Sequence, residues 1–231
     1  MVGLLPALVA FIVRRALDEP EIFVKKCADK KENSFRLLVK DAKTFRTTLG
    51  IATLCSVHNF GYYGIMIWMP SYLSKGLGFS LGKSALWTAT IVAGMAFGIW
   101  ALGQVADRIG RKPIFIVFQI GSVVMVYLYS QVTDPHTLLC MGAIMGMFVN
   151  GMLGGLGALM SEAYPTAARA TAQNVLFNIG RTVGSVGPVA VGALAAKYSF
   201  SAAIALLASI YVIDIIATVF LIPELKGKAL D

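Results

Sequence analysis

Six apolar runs, each long enough to cross a lipid bilayer as a helix, constrain this chain more than any other feature. A transmembrane helix needs about 20 mostly apolar residues to span the hydrocarbon core. No segment alternates polar and apolar residues over about ten positions, as the strands of a membrane barrel do. The sequence therefore predicts an all-α membrane protein with spans at Thr47–Tyr72, Ala85–Ala106, Pro113–Ser130, Thr137–Met160, Ala170–Ala196 and Ser201–Ile222.

The composition agrees with this prediction and excludes several classes of protein. Hydrophobic residues make up 57% of the 231 residues and charged residues only 14%, too few to cover the surface of a soluble domain. The net charge of +8 comes from short stretches between the runs, which argues against nucleic-acid binding. Three scattered cysteines and two distant histidines offer no metal centre. The spans hold no nucleophile–base pair, so we expect neither an enzyme nor a cofactor.

The charged segments divide the chain into four parts. Residues 1–13 contain a shorter run, Val2–Val13, which we interpret as the end of a transmembrane helix whose beginning is missing. Residues 14–46 form a cytoplasmic linker, in which Ser34–Thr44 is either a helix on the membrane surface or a solvated stretch. Residues 47–222 form a six-helix transmembrane bundle, and residues 223–231 form a cytoplasmic tail.

Lysine and arginine are distributed unequally between the two sides of the bilayer. If the six runs alternate in direction, 16 of the 20 Lys and Arg residues lie on one side and 3 on the other. Because positive charge marks the cytoplasmic side, we expect a multi-pass protein of the plasma (inner) membrane with a cytoplasmic C-terminus.

A stripe of small residues recurs at every fourth position of the fourth span: Gly142, Gly146, Asn150, Gly154 and Ala158. Such a stripe lets two membrane helices approach closely. We therefore predict that the glycines serve helix packing, whereas Asn150 serves either packing or a binding cavity.

The loop between the second and third runs carries a charged turn. Gly103–Lys112 reads GQVADRIGRK. Its glycines permit a sharp reversal of the chain. Asp107 can accept hydrogen bonds from a helix N-terminus or pair with an arginine, and Arg111 can bind a carboxylate through two hydrogen bonds. Such a turn can hold two helix ends together and later release them.

This turn resembles the signature loop of the major facilitator superfamily, whose members have twelve helices in two six-helix halves. Ser161–Arg169 is similar to the E-x-x-P-T-x-x-R loop between helices ten and eleven. Pro223–Gly227 resembles the P-E-T-K-G tail of sugar porters, with Leu225 in place of threonine. The resemblance implies one half of a major facilitator fold, from the end of helix six to helix twelve, with the missing N-terminal half as its partner.

The resemblance also implies a charge network that closes the cytoplasmic gate. In the family, this network joins the arginines of the loop between helices eight and nine to the acidic residue after helix ten. The residues at the matching positions here are Gly103, Asp107, Arg108, Gly110, Arg111, Lys112, Glu162, Arg169 and Glu224.

The resemblance further implies secondary active transport of a small molecule by alternating access. Ser56–Tyr62 lacks the paired glutamines of sugar porters, so the chain looks more like the metabolite:proton symporters that carry sialic acid, aromatic acids or other carboxylates. We expect an anionic substrate (a carboxylate or acidic sugar) and proton coupling. The alternatives are a sugar-porter-like facilitator, a truncated fragment without transport activity, and a half-transporter that depends on a partner.

Arg181 lies near the middle of the fifth span, where a charge costs about 2.5–3.5 kcal/mol. It should therefore face the protein interior and have a partner. At 100° per residue, Asn174, Asn178 and Arg181 share one helix face, which favours a carboxylate substrate as that partner. Asp214 lies at a similar depth in the last span and is an equally good partner for a structural ion pair.

Polar and aromatic side chains in the first span also predict a cavity. His58 and Tyr62 share one helix face, and Asn59 and Tyr63 share the next. His58 titrates near neutral pH, so its role is either proton-linked or a structural hydrogen bond. The predicted substrate-binding residues are Arg181, Asn178, Asn174, His58, Asn59, Tyr62, Tyr63 and Asn150.

Overall fold

The computed structural model describes residues 34–226 except residue 77, together with residues 9, 11, 12 and 15. The described part of the chain contains helices and no β-strand, which confirms the all-α prediction. The α-helices are α1 (Ser34–Leu37), α2 (Ala42–Ser71), α3 (Leu81–Ile109), α4 (Arg111–Gln131), α5 (Pro135–Gly151), α6 (Leu153–Ala163), α7 (Thr166–Gly184), α8 (Gly187–Lys197) and α9 (Phe200–Leu221), and a short π-helix, Tyr72–Gly76, continues α2. The predicted run Val2–Val13 and the first part of the linker lie almost wholly outside the described residues.

Five helical segments of the described chain are long and apolar enough to cross a membrane: Ala85–Ile109, Arg111–Gln131, Pro135–Ala163, Thr166–Lys197 and Phe200–Leu221. They coincide with five of the six predicted spans. The remaining run lies in α2, which is 30 residues long but less apolar. His58, Asn59 and two tyrosines lower its mean hydropathy, and these are the side chains from which we predicted a cavity.

Two of the predicted spans bend near their centres. Met152 separates α5 from α6, and Ser185–Val186 separates α7 from α8. Pro188 explains the second bend, because proline lacks the N–H group of a regular helical turn and its ring crowds the carbonyl of the preceding turn. Glycines on both sides of Met152, Gly151 and Gly154, weaken the helix at the first bend.

Side-chain caps fix where α2, α5 and α9 begin. Asp41 accepts a 2.8 Å hydrogen bond from the backbone N–H of Thr44, and Asp134 accepts an equivalent bond from Thr137. These bonds satisfy N–H groups that have no partner within the helix. They also hold the pKa of both aspartates below the usual value, because the bonded form is the carboxylate. As a result α2 begins at Ala42, five residues before the predicted run.

Helix α2 lies at the centre of the bundle. It packs against α7, α8 and α9, while α3 packs against α5 and α4 joins α5 to α9. The glycine stripe serves helix packing as predicted, and its glycines on α5 and α6 face α3. A Cβ atom on Gly154 would lie 2.7 Å from Cγ2 of Ile99, and one on Gly146 would overlap the backbone of Ile91. The stripe therefore sets the distance between these helices.

We expect Gly180→Ala to lower the free energy of unfolding in detergent by about 1–3 kcal/mol. The added Cβ would lie 2.7 Å from backbone and side-chain atoms of Cys55, so α2 and α7 would have to separate. Gly157→Ala is the matched control, because a Cβ there meets nothing within 4 Å and alanine favours a helix by about 1 kcal/mol over glycine. Thermal unfolding that affected both variants alike would contradict the close approach of α2 and α7.

Candidate functional site

A cavity of about 280 Å³ lies between α2, α3, α5, α6 and α7. Six of the eight predicted substrate-binding residues line it, together with Met95, Leu153 and Phe177. These six are His58, Asn59, Tyr62, Tyr63, Asn150 and Arg181. The cavity thus combines apolar and aromatic walls with a few polar groups, as small-molecule sites commonly do.

Helix α2 supplies four of the polar residues because its polar positions fall on two adjoining faces. Asn59 donates from Nδ2 to the carbonyl of Cys55 at 2.8 Å, which fixes its amide. The rings of Tyr62 and Tyr63 meet edge to face, with centroids 5.4 Å apart. These contacts hold the side chains in place before any ligand enters.

Two buried polar atoms of cavity residues make no hydrogen bond to the described protein. They are Nδ1 of His58 and Oδ1 of Asn150. The imidazole of His58 bonds to the backbone of Val149, so in the neutral ring Nδ1 is the acceptor. Buried polar groups are nearly always bonded, and a ligand or water in the cavity would satisfy both atoms.

Arg181 borders the cavity from α7 and forms no ion pair with a described residue. It is exposed at the edge of the open α7 surface. The structure does not form the alternative pair with Asp214: Asp214 is fully buried, and neither of its carboxyl oxygens bonds to a described side chain. Arg181 and Asp214 do lie at similar depths in their helices. Gly180 faces α2, however, so Arg181, one residue further along α7, points to the side of that contact.

Asn174 and Asn178 do not line this cavity. They lie in a separate open groove of about 470 Å³ along α7, with Thr182 and apolar neighbours. Each asparagine donates to a carbonyl of the preceding turn, at 2.8 Å and 2.7 Å. The two asparagines share the open face of α7 with Arg181, but of the three only Arg181 also borders the cavity. Their part in substrate binding stays a prediction.

A second cluster lies at the end of the bundle where α3 meets α4, and Arg111 is its centre. Arg111 binds Glu162 through Nε and Nη2, at 2.9 and 2.8 Å, and Asp107 through Nη1 at 2.8 Å. Its backbone N–H donates to Glu224 at 3.2 Å. Three acidic residues from separate segments thus meet one arginine. All four are among the residues that the resemblance implied for the charge network, and their role in a gate stays a prediction.

Gly110 allows Glu224 to approach this cluster. Its φ angle is +111°, and a Cβ atom would lie 2.8 Å from the Glu224 carboxylate. Only glycine combines this backbone conformation with the close approach. Glu224 also accepts bonds from the backbone N–H groups of Leu225 and Lys226, both at 2.9 Å, which holds the start of the tail against the α3–α4 turn.

The other predicted network residues have different contacts. Lys112 donates to the carbonyl of Val219 at 2.6 Å, and Arg169 donates to the carbonyl of Tyr164 at 3.2 Å. The backbone carbonyl of Arg108 accepts a bond from Lys226. A Cβ atom on Gly103 would meet no described atom within 4 Å, so this glycine takes no part in the cluster described here.

Sequence reasoning missed a hydrogen-bonded chain beside this cluster. The hydroxyl of Tyr164 meets that of Thr48 at 2.7 Å, and Thr48 donates to the carbonyl of Leu38 at 2.6 Å. Burial raises the pKa of Tyr164. Ser34 donates to the carbonyl of Ala167 at 3.0 Å, so α1 is fixed to the start of α7. The sequence feature that could have indicated this hydrogen-bonded chain was Tyr164, a tyrosine inside the Ser161–Arg169 loop.

Comparisons with known proteins agree with this architecture. The sequence profile of the Major Facilitator Superfamily matches residues 51–230. A protein of Haemophilus influenzae named as a metabolite transport protein is 63% identical over 239 residues, which cover 100% of this chain and 59% of the relative. The cis,cis-muconate transport protein of Acinetobacter baylyi is 28% identical and is matched over 92% of this chain and 53% of its own length.

The fold is similar to that of solved structures. The crystal structure of tetrameric PepTSo2 aligns with a TM-score of 0.67 at 16% sequence identity, over 78% of this chain and 41% of that one. The chain spans a little more than half the length of the two curated relatives above.

Proposed function

Because the chain belongs to the Major Facilitator Superfamily, we propose that it forms the C-terminal half of a secondary transporter for a small carboxylate-bearing metabolite. The family is one of transporters rather than enzymes, and the chain is an integral, multi-pass membrane protein. In the proposal, the second half covers the open face of α7, where Asn174 and Asn178 are exposed. The relatives, which are longer than this chain, support a partner of that kind.

The cavity beside Arg181 is the observation that carries this proposal. Arg181 has no acidic partner in the described chain, although a charge at that depth is expensive. A carboxylate substrate would pair with its planar guanidinium through two hydrogen bonds. Such a ligand would also bring donors or water to the unbonded atoms of His58 and Asn150. The relative named for cis,cis-muconate, a carboxylate, supports the same class of substrate.

We assign the Arg111 cluster to the gate of this transporter. It joins the α3–α4 turn to Glu162 at the end of α6 and to Glu224 after α9, so three helix ends are held at one point. Separation of these ends would open one side of the cavity. The distribution of positive charge supports a cytoplasmic position for this gate and for the C-terminus, in the inner membrane. We also propose that transport of the substrate is coupled to the movement of protons.

A chimera tests the transport function. The part of the Haemophilus influenzae relative that precedes the matched region is fused to this chain, which is 63% identical to the segment that it replaces. Uptake of radiolabelled carboxylates, including muconate, is measured in bacterial cells. We expect saturable uptake that is inhibited by collapse of the proton gradient.

Each half expressed alone serves as the control and is expected to give no uptake. Uptake by this chain alone would instead favour a carrier built from two copies. A chimera that reaches the membrane and transports none of the carboxylates would reject the proposed function and favour a fragment without transport activity.

A further inference from the structure

Asp214 is a fully buried carboxyl group outside the cavity. It lies on α9, between the neighbouring helices α2 and α4. An ionised carboxyl group at this depth in a membrane protein is expensive unless a cation neutralises it. Intramembrane carboxyl groups of this kind therefore require either a partner or a proton.

No charged side chain of the described residues faces Asp214. Helix α2 presents Cys55, α4 presents Gln119, and α9 itself presents Tyr211. Helix α8, which also packs against α9, presents no titratable group to the carboxyl within the described chain. Arg181, which lies at a similar depth in its helix, forms no ion pair with a described residue. Within the part of the chain that the structure describes, no ion pair neutralises Asp214.

The hydrogen-bonding pattern around Gln119 indicates where a proton would sit. Nε2 of Gln119 donates to the hydroxyl of Thr218 at 2.7 Å, a contact that is fully buried. This bond identifies the other amide atom, Oε1, as the acceptor, and Oε1 has no partner. Gln119 lies beside the carboxyl group of Asp214, yet neither carboxyl oxygen makes a well-formed hydrogen bond to a described residue. An ionised carboxyl group only accepts hydrogen bonds, and so does Oε1 of Gln119. The two side chains are neighbours, so among the described residues both groups stay unsatisfied unless Asp214 carries a proton.

We propose that Asp214 is a proton-binding site, occupied in this conformation, whose O–H donates to Oε1 of Gln119. When α2, α4 and α9 move apart and admit water, the O–H bond breaks, the proton passes to water, and a carboxylate remains. The assignment of this proton to a transport cycle rests on the proposed function; the site itself does not.

Tyr211 connects this site to the part of α2 that lines the cavity. Its hydroxyl is buried without a hydrogen-bond partner and packs against Gly61, where a Cβ atom would overlap it. Gly61 directly precedes Tyr62, a cavity residue. Movement of α2 around a substrate would therefore disturb the contacts of Tyr211 beside Asp214.

Infrared difference spectroscopy tests the proposal on the complete chain in lipid nanodiscs. The pH is changed stepwise, and the C=O stretch of a protonated carboxylic acid is recorded. We expect a band that loses amplitude as the pH rises, that is absent in Asp214→Asn, and that persists at a shifted frequency in Asp214→Glu. Asp134→Asn is the control: it makes the same carboxyl-to-amide change at the exposed cap of α5 and should leave the band unchanged.

Three results would overturn the proposal: no such band in the unmodified chain, a band that survives in Asp214→Asn, or a band of constant amplitude at every pH at which the protein stays folded. The last result would make Asp214 a permanent hydrogen-bond donor. Uptake by the chimera is measured separately. A titrating band without uptake would retain the proton site while rejecting the transport function.

Discussion

Replacing Arg181 with glutamine is expected to raise the KM for carboxylate uptake by the chimera strongly while leaving membrane insertion intact. Hydrogen bonds to a charged group are worth about 1.5–3 kcal/mol, so substrate affinity should fall on the order of 10- to 100-fold. Arg181→Lys keeps the charge but loses the planar fork, and we expect it to retain part of the affinity. The measurement is the concentration dependence of uptake, which separates KM from the maximal rate.

Arg36→Gln provides the matched control for this experiment. Arg36 lies on α1 and is exposed, so the same chemical change occurs away from the cavity. Equal KM values for Arg181→Gln, Arg36→Gln and the unmodified chimera would reject the anion site. A loss of uptake that accompanied loss of the folded protein would show that Arg181 is needed for stability instead.

Breaking the pair of Arg111 and Glu162 is expected to lower the free energy of unfolding by about 1–3 kcal/mol. The two side chains are only 17% and 16% exposed. The exposure of this pair is therefore intermediate between that of surface pairs and that of buried pairs. A surface pair contributes about 0–1 kcal/mol to stability, whereas breaking a buried pair costs about 3–5 kcal/mol. Asp107 is 68% exposed, so Asp107→Asn should cost less than about 1 kcal/mol.

A double-mutant cycle measures this pair directly. Glu162→Gln and Arg111→Gln are unfolded in detergent separately and together, and residues in contact should show a coupling energy of about 0.5–3 kcal/mol. Additive effects would mean that the two side chains contribute independently. In the chimera, the same variants should slow uptake if the cluster is the gate, since a gate that cannot close interrupts the transport cycle.

The sequence predicted the helices well because crossing a bilayer imposes length and apolarity together. It also predicted most of the cavity, since polar groups such as His58 and Asn59 are costly in a span unless they have a role there. For the helices and the cavity, one local physical constraint was enough. The joining of Glu162 and Glu224 to the α3–α4 turn was instead implied by the resemblance of three loops to those of the family.

The errors concern positions that depend on how helices are rotated about their own axes. Comparing depths paired Asp214 with Arg181, but depth does not fix direction. Periodicity placed Asn174 and Asn178 on one face with Arg181, but it could not show which neighbour covers that face. The bends at Met152 and before Pro188 were also missed, because a glycine or proline inside a membrane helix has several compatible geometries.

Each of the two bends lies close to a residue that lines the cavity. Asn150 precedes the bend at Met152 by two residues, and Arg181 precedes the bend at Ser185–Val186 by four, so each pivot adjoins a cavity residue. Tilting α6 about Met152 would displace Glu162 and so disturb the Arg111 cluster, whereas tilting α8 about Ser185–Val186 would displace Lys197 at the far end of α8. In the proposed transporter, each of these two helix ends would therefore have its own pivot beside the cavity.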